Sequence, residues 1–246
     1  MKRAFAFVLA AAIAGSASAQ FPSLEGVVPG FGKSPKPATA PPGAGAPDDR
    51  TSASGIKEAL AVGTENAVKS LSRPNGYFGN QAVKILLPPS IQKVGTIARA
   101  AGFQKQVDEF VLSMNQAAEA AAPVAAQHFG DAIREMTLED ARAILTGGNT
   151  AATDFFRAKT RDKLYAAFKP TVSQKVGEVG TTRAYQDLVG QLQNVPMMGK
   201  QSLDLDDYVT NKALDGLFYM VGEEEKKIRT NPAARTTDLL KSVFGR

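Results

Sequence analysis

Apolar residues recur every three or four positions through most of this chain, the spacing of helices that hide one face. Ile56, Leu60, Gly63, Ala67 and Leu71 step along a first helix. Phe103, Val107, Phe110, Met114, Ala117 and Ala121 step along a second, with Asp108, Glu109 and Glu119 off the stripe. Pro123 is expected to end or kink that helix, which resumes over 124–136. Phe156, Thr160, Leu164 and Phe168 line a further helix up to Pro170, and Thr171 and Thr181 or Thr182 are placed to open two more. Leu205, Val209, Ala213, Leu217 and Met220 mark a long one, and Asn231-Pro232 starts a last one.

Polar punctuation supports these boundaries. Ser90 after Pro88-Pro89 is expected to cap a helix bearing Ile91, Val94 and Ile97, with Gly102 as its stop. Thr137 with Asp140 has capping-box spacing, Gly147-Gly148-Asn149 closes that helix, and Thr150 is placed to cap the next. Asp204 heads the long helix that follows. Only 82–87 reads as a short extended run. The expectation is an all-α domain of eight or nine helices, bundle-like or orthogonally packed, over 51–246.

Two stretches stand outside this pattern. Residues 1–19 have a positive start at Lys2 and Arg3, a short apolar run, and Ala17-Ser18-Ala19 as a small-x-small cleavage site. This is the pattern of a signal peptide cut before Gln20, and it places the mature chain in the periplasm. Residues 20–50 hold seven of the 14 prolines, so they read as a disordered or polyproline-like tether.

Composition narrows the chemistry. The 246 residues carry a formal charge of +5, and removal of Lys2 and Arg3 leaves +3. That is too little and too scattered for a nucleic-acid binder. With no cysteine, the chain has no disulfides, thiol chemistry or Cys-ligated metals. His128 is the single histidine, so a triad or His-rich metal site lacks its partners. Asp204, Asp206 and Asp207 lack the glycine and distant glutamate of a calcium loop and suit a helix start. Glu223-Glu224-Glu225 before Lys226-Lys227 reads as a solvated face of ion pairs. No metal or cofactor is expected, and no segment beyond the leader is apolar enough to cross a membrane.

Candidate working residues fall in two places. Arg73, Asn75, Tyr77 and Asn80 belong to a loop whose Asn75-Gly76 makes a tight turn, and whose Tyr77 and Phe78 either pack back or meet a ligand or partner. Asn149, Asp154 and Arg157 surround a helix start able to present N–H groups to an anion. The helix over 150–169 also carries Lys159, Arg161, Lys163 and Lys169 among aromatics, which admits peripheral contact with anionic lipid.

Several long segments carry a resemblance: SRPNGYFGN at 72–80, KQVDEFVLSMNQAAEAAAP at 105–123, DARAILTGGNTAATDFFRAKT at 140–160, DLDDYVTNKALDGLF at 204–218 and EEEKKIRTNPAARTTDLLKSVFG at 223–245. From about Ser54 onward the chain resembles a bacterial exported family labelled only as domain-of-unknown-function family 4197, from which it departs in the doubled proline of LLPPSIQKV at 86–94. The resemblance implies an exported, mainly helical protein and supplies no catalytic residues.

These readings favour a non-enzymatic binding or interaction module of the cell envelope, with an envelope protein or small ligand as partner. A carboxylate-based hydrolase acting on an envelope polymer is the alternative, and a peripheral lipid binder a third. A binding module predicts an apolar groove or exposed aromatic patch; a hydrolase predicts a deep cleft holding two acids.

Overall fold

The computed structural model describes residues 49–178 and 204–235, with 237, 238, 241 and 243, all within the compact unit 44–246. These residues are mainly helical and include no strand. In chain order they form α1 (Asp49–Ser72), α2 (Gln92–Ala100), α3 (Gln104–Ala121), α4 (Ala125–Glu135), α5 (Leu138–Thr146), α6 (Ala151–Glu178) and α7 (Leu205–Thr230), with 3-10 turns at Pro89–Ile91, Ala122–Val124 and Pro232–Ala234. The helix expected at Thr181 or Thr182, the cleavage site and the tether lie outside the described residues, apart from Asp49 and Arg50, which belong to α1.

The apolar stripes become the core. Ile56, Leu60, Ala67 and Leu71 of α1 are buried, as are Val107, Phe110, Met114, Ala117 and Ala121 of α3. The longest helix, α6, packs on α7, α3, α4 and α5, while α1 packs on α7, α5 and α4. Three rings lock the centre. Phe129 of α4 meets Phe156 of α6 edge-on at 5.0 Å between centroids, and Phe218 of α7 at 6.2 Å. Small residues let these helices close up: Ala117, Ala118, Ala121, Ala122 and Ala125 are all fully buried along the α3–α4 corner.

Boundary chemistry agrees with the pattern in most places. Thr137 and Asp140 form a complete capping box at the head of α5. Its two hydrogen bonds to Thr137 hold the Asp140 carboxyl below its ordinary range. Asp204 accepts from the Asp207 N–H at 2.8 Å. Gly102 stops α2 at φ +91°, in the left-handed region where glycine carries no Cβ penalty. A turn at Ala122–Val124 breaks the α3–α4 run where Pro123 removes a donor.

Two expectations are corrected. Pro170 does not end α6, and Thr171 opens nothing: the helix runs on to Glu178 and buries Val172 and Val176. Pro170 lies on the exposed side with Ala166 four residues before it, so the carbonyl it frees can turn to water while the apolar stripe continues beneath. Ser90 caps nothing; Pro88 precedes a 3-10 turn and Ile91 precedes α2, neither with a side-chain cap.

Candidate functional site

The linker between α1 and α2 is held by polar side chains that α3 points into the interior. Asn75 adopts φ +62° and turns the chain. Gly76 then passes so close to α1 that a Cβ there would stand 2.4 Å from the Leu71 carbonyl oxygen. The returning loop offers three N–H groups, from Asn75, Tyr77 and Phe78, to the carboxylate of Glu119 at 3.1–3.2 Å. Glu119 is buried, and these donors replace the water it gave up. One helical turn earlier, Asn115 treats Ile85 as a strand neighbour would: its Oδ1 accepts from the Ile85 N–H, and its Nδ2 donates to the Ile85 carbonyl, both at 2.8 Å. The segment between Asn80 and Pro89 therefore gains backbone partners without a sheet.

Tyr77 is the hinge pin of this loop. Its ring is fully buried, and its hydroxyl donates to the Ala213 carbonyl of α7 at 2.8 Å. Burial, and then the nearby Glu119 carboxylate, push its phenol well above the ordinary value. Gly216 makes room for it: a Cβ there would lie 2.8 Å from the Tyr77 ring and 3.1 Å from Val83. Asn80 donates to the Met220 sulfur at 3.5 Å and accepts from the Ala82 N–H.

Between this linker, α2 and α3 lies an open groove of about 580 Å³. Phe78, Leu86, Leu87 and Val111 supply its apolar surface; Lys84, Gln92, Thr96, Arg99 and Asp108 supply its polar surface. Its polar groups are tethered. The Lys84 ammonium sits 3.9 Å from the Phe78 ring centroid, Arg99 pairs with Asp108 at 3.0 Å, and Gln92 donates to the Leu87 carbonyl. Leu86 is 57% exposed, and its carbonyl accepts from the Tyr208 hydroxyl of α7. Burial raises the Tyr208 phenol as well. A second concavity, among α1, α5, α6 and α7, has room for about 20 Å³, barely one water, and is a packing void.

At the head of α6, after Gly147-Gly148-Asn149, the N–H groups that could have met an anion are taken by a carboxylate of the protein itself. The Glu225 carboxylate accepts from the Ala152 and Thr153 N–H groups at 3.0 and 2.9 Å, and from the Thr153 hydroxyl at 2.9 Å. Arg229 pairs with it at 2.9 Å and also reaches the Ile144 carbonyl at the end of α5. Glu225 is thus buried, which corrects the reading of the 223–225 triplet as a wholly solvated face. Thr150 directs its hydroxyl to the Asp154 carboxylate.

The seven candidate residues divide accordingly. Arg73, Asn75 and Asn149 are exposed, with Asn75 shaping the turn, and Tyr77 is core. Asp154 and Arg157 share a face of α6 beside α7, where Arg157 lies 3.9 Å from Asp215 and 4.7 Å from the Phe218 ring centroid. Asn80 touches α7 at Met220. No candidate lies in the groove, although Phe78 beside Tyr77 does. Glu119, Asn115 and Glu225 were missed as organising residues. The available signal was polar side chains inside alanine-rich helix stretches: Asn115 and Glu119 are four apart, one helical turn, among Met114, Ala117 and Ala118.

No group of three or more His, Cys, Asp or Glu side chains able to hold a metal occurs among the described residues. Asp204, Asp206 and Asp207 instead serve separate partners: Asp204 caps α7, Asp206 accepts from Ser173 and Asp207 accepts from Tyr165. No helix among the described residues is long and apolar enough to cross a membrane.

Fold and site together define an all-helical domain whose buried polar side chains brace a grooved linker. The chain belongs to the family described as "Protein of unknown function (DUF4197)", which it matches over residues 46–245. No curated protein and no solved structure matches it.

Proposed function

We propose that this is a non-enzymatic binding or interaction module of the cell envelope, exported to the periplasm by its leader, which receives a partner in the groove beside Leu86. The observation that carries this reading is that groove. It is roomy and open, it exposes Leu86 beside fixed charges, and it is built on a linker that Glu119, Asn115 and Tyr77 hold rigid. An apolar contact ringed by oriented polar groups suits recognition at little ordering cost. Ile97 of α2 is 48% exposed and adds apolar surface on the same helix. The two buried glutamates found among the described residues are each held by backbone N–H groups, of different elements.

The test is site-specific photocrosslinking in intact cells. A crosslinker at Leu86 should give a discrete adduct in the periplasmic fraction, and one at exposed Lys226 should not. The same fractionation should yield a mature chain beginning at Gln20. Equal labelling from both sites would remove the groove from the reading; a cytosolic protein retaining Met1 would remove the envelope.

A further inference from the structure

We infer that the α6–α7 face carries a phosphate-binding site formed by Arg157, Arg161 and Lys212 around Asp215. Three cations from two helices converge on one carboxylate. Arg161 lies 3.3 Å from Asp215, Lys212 3.8 Å and Arg157 3.9 Å. Only the first contact is within hydrogen-bonding distance, so Arg157 and Lys212 lend Asp215 their charge and keep donors to offer. One carboxylate offsets one of three charges, and the cluster retains two positive charges, the complement of a phosphate monoester dianion.

The two arginines are also held in position, unlike most surface arginines. Arg157 stacks against the Phe218 ring, with 4.7 Å from guanidinium carbon to centroid. Arg161 donates to Asn211 Oδ1 at 3.2 Å, and Asn211 is itself tied to the Asp207 carbonyl. Each side chain remains a third to a half exposed, so a ligand can reach it. Within this arrangement Asp215 gathers the cations in the free protein and repels an entering anion. On α6, the Asp154 carboxylate, one turn before Arg157, accepts from Thr150. The ligand chemistry is a phosphate monoester, carried either by a soluble metabolite or by a lipid headgroup. The site involves none of the groove's residues, so binding at one stands or fails apart from the other.

The role of Asp215 gives the test its direction. An ion-pair network of purely structural use would lose by Asp215→Asn and gain nothing. A phosphate site gains affinity, because a repelling charge goes while the arginines keep Phe218 and Asn211. The full mature chain, labelled at its arginine side chains, is titrated with inorganic phosphate and with glycerol phosphate, and followed by NMR at Arg157 and Arg161. It is also floated with phosphatidylcholine vesicles with and without phosphatidic acid. Expected are saturable shifts at both arginines, affinity about tenfold weaker or worse in Arg157→Gln, weaker in Lys212→Gln, and tighter in Asp215→Asn. Binding to phosphatidic acid vesicles with no response to the soluble esters assigns the site to lipid, and the converse to a metabolite. A thermal melt of each variant confirms folding. If neither ligand form shifts the arginines, or if Asp215→Asn binds no better than the parent protein, the site is not there.

Discussion

Replacing Tyr77 by phenylalanine should make the protein weaker at neutral pH and comparatively stronger in alkali. The hydroxyl is buried and donates to the Ala213 carbonyl at 2.8 Å. Its loss costs about 1 kcal/mol, the net worth of one buried neutral hydrogen bond. The ring remains, so no large cavity opens. Alkali reverses the comparison. An unfolded chain releases the Tyr77 proton at the ordinary value of 10.0, whereas burial and the Glu119 carboxylate keep the folded phenol neutral well beyond it. The folded value is the raised one, so this term stabilises fully below pH 10 and is lost as pH climbs. Above the unfolded value, the parent protein loses about 1.4 kcal/mol per pH unit through this single proton. The variant's phenylalanine ring has no proton to release. The 1 kcal/mol deficit should therefore vanish near about pH 10.6 and change sign above it. Tyr208, also raised by burial, is present in both proteins and cancels in the difference. Urea unfolding followed by circular dichroism, from neutral pH to pH 11, measures the two stabilities. A deficit that stays constant to pH 11 would refute the assignment of Tyr77 as a buried, proton-holding hydroxyl.

Three further changes probe the same architecture. Glu119→Ala strands three N–H groups of the 75–78 loop and should cost about 3 kcal/mol or more, with amide exchange at Tyr77 and Phe78 rising sharply; unchanged protection would show that the carboxylate does not hold the loop. Gly216→Ala should destabilise in spite of alanine's better helix propensity, because its Cβ meets the Tyr77 ring at 2.8 Å, and a thermal melt at or above the parent value would contradict this. Thr210 buries a hydroxyl with no hydrogen-bond partner among the described residues, so Thr210→Val should be neutral or stabilising by up to about 1 kcal/mol in urea unfolding, and a clear loss would reveal a partner outside them.

The helical architecture was legible because burial follows a period that the sequence displays. Every apolar position assigned to α1 is buried, and so is the α3 stripe apart from half-buried Phe103. Where the reading went astray, a local rule met a longer-range one. Pro170 breaks helices by local geometry, yet Phe168, Val172 and Val176 continue the buried stripe across it, and core burial wins. Ser90 has a capping residue's chemistry, but a 3-10 turn occupies the place. The site was less legible because its organising contacts span great sequence distance. Glu119 meets Tyr77 42 residues away, and Glu225 meets Thr153 72 residues away. Periodicity reports which face of a helix is buried; it carries no signal for which distant N–H a buried carboxylate will find. Of the loop residues singled out, Asn75 turns the chain as the Asn-Gly pair suggested, while Tyr77 resolved to packing.

The buried polar groups bear directly on where function can lie. A carboxylate kept from water must be satisfied by donors: Glu119 receives three from a loop, and Glu225 receives three from a helix start in addition to those of Arg229. Removing either carboxylate would leave those donors without their partner and free a structural element. What their fixing secures is position. Glu119 and Asn115 set the linker that forms one wall of the groove, and Glu225 sets the start of the helix that carries Arg157 and Arg161. In both places the interior fixes the backbone and the exposed side chains remain available. That division of labour is what the proposed binding role requires. It also implies that Glu119→Gln, which keeps the shape but removes the charge that draws three donors together, should loosen crosslinking at Leu86 before it unfolds the domain.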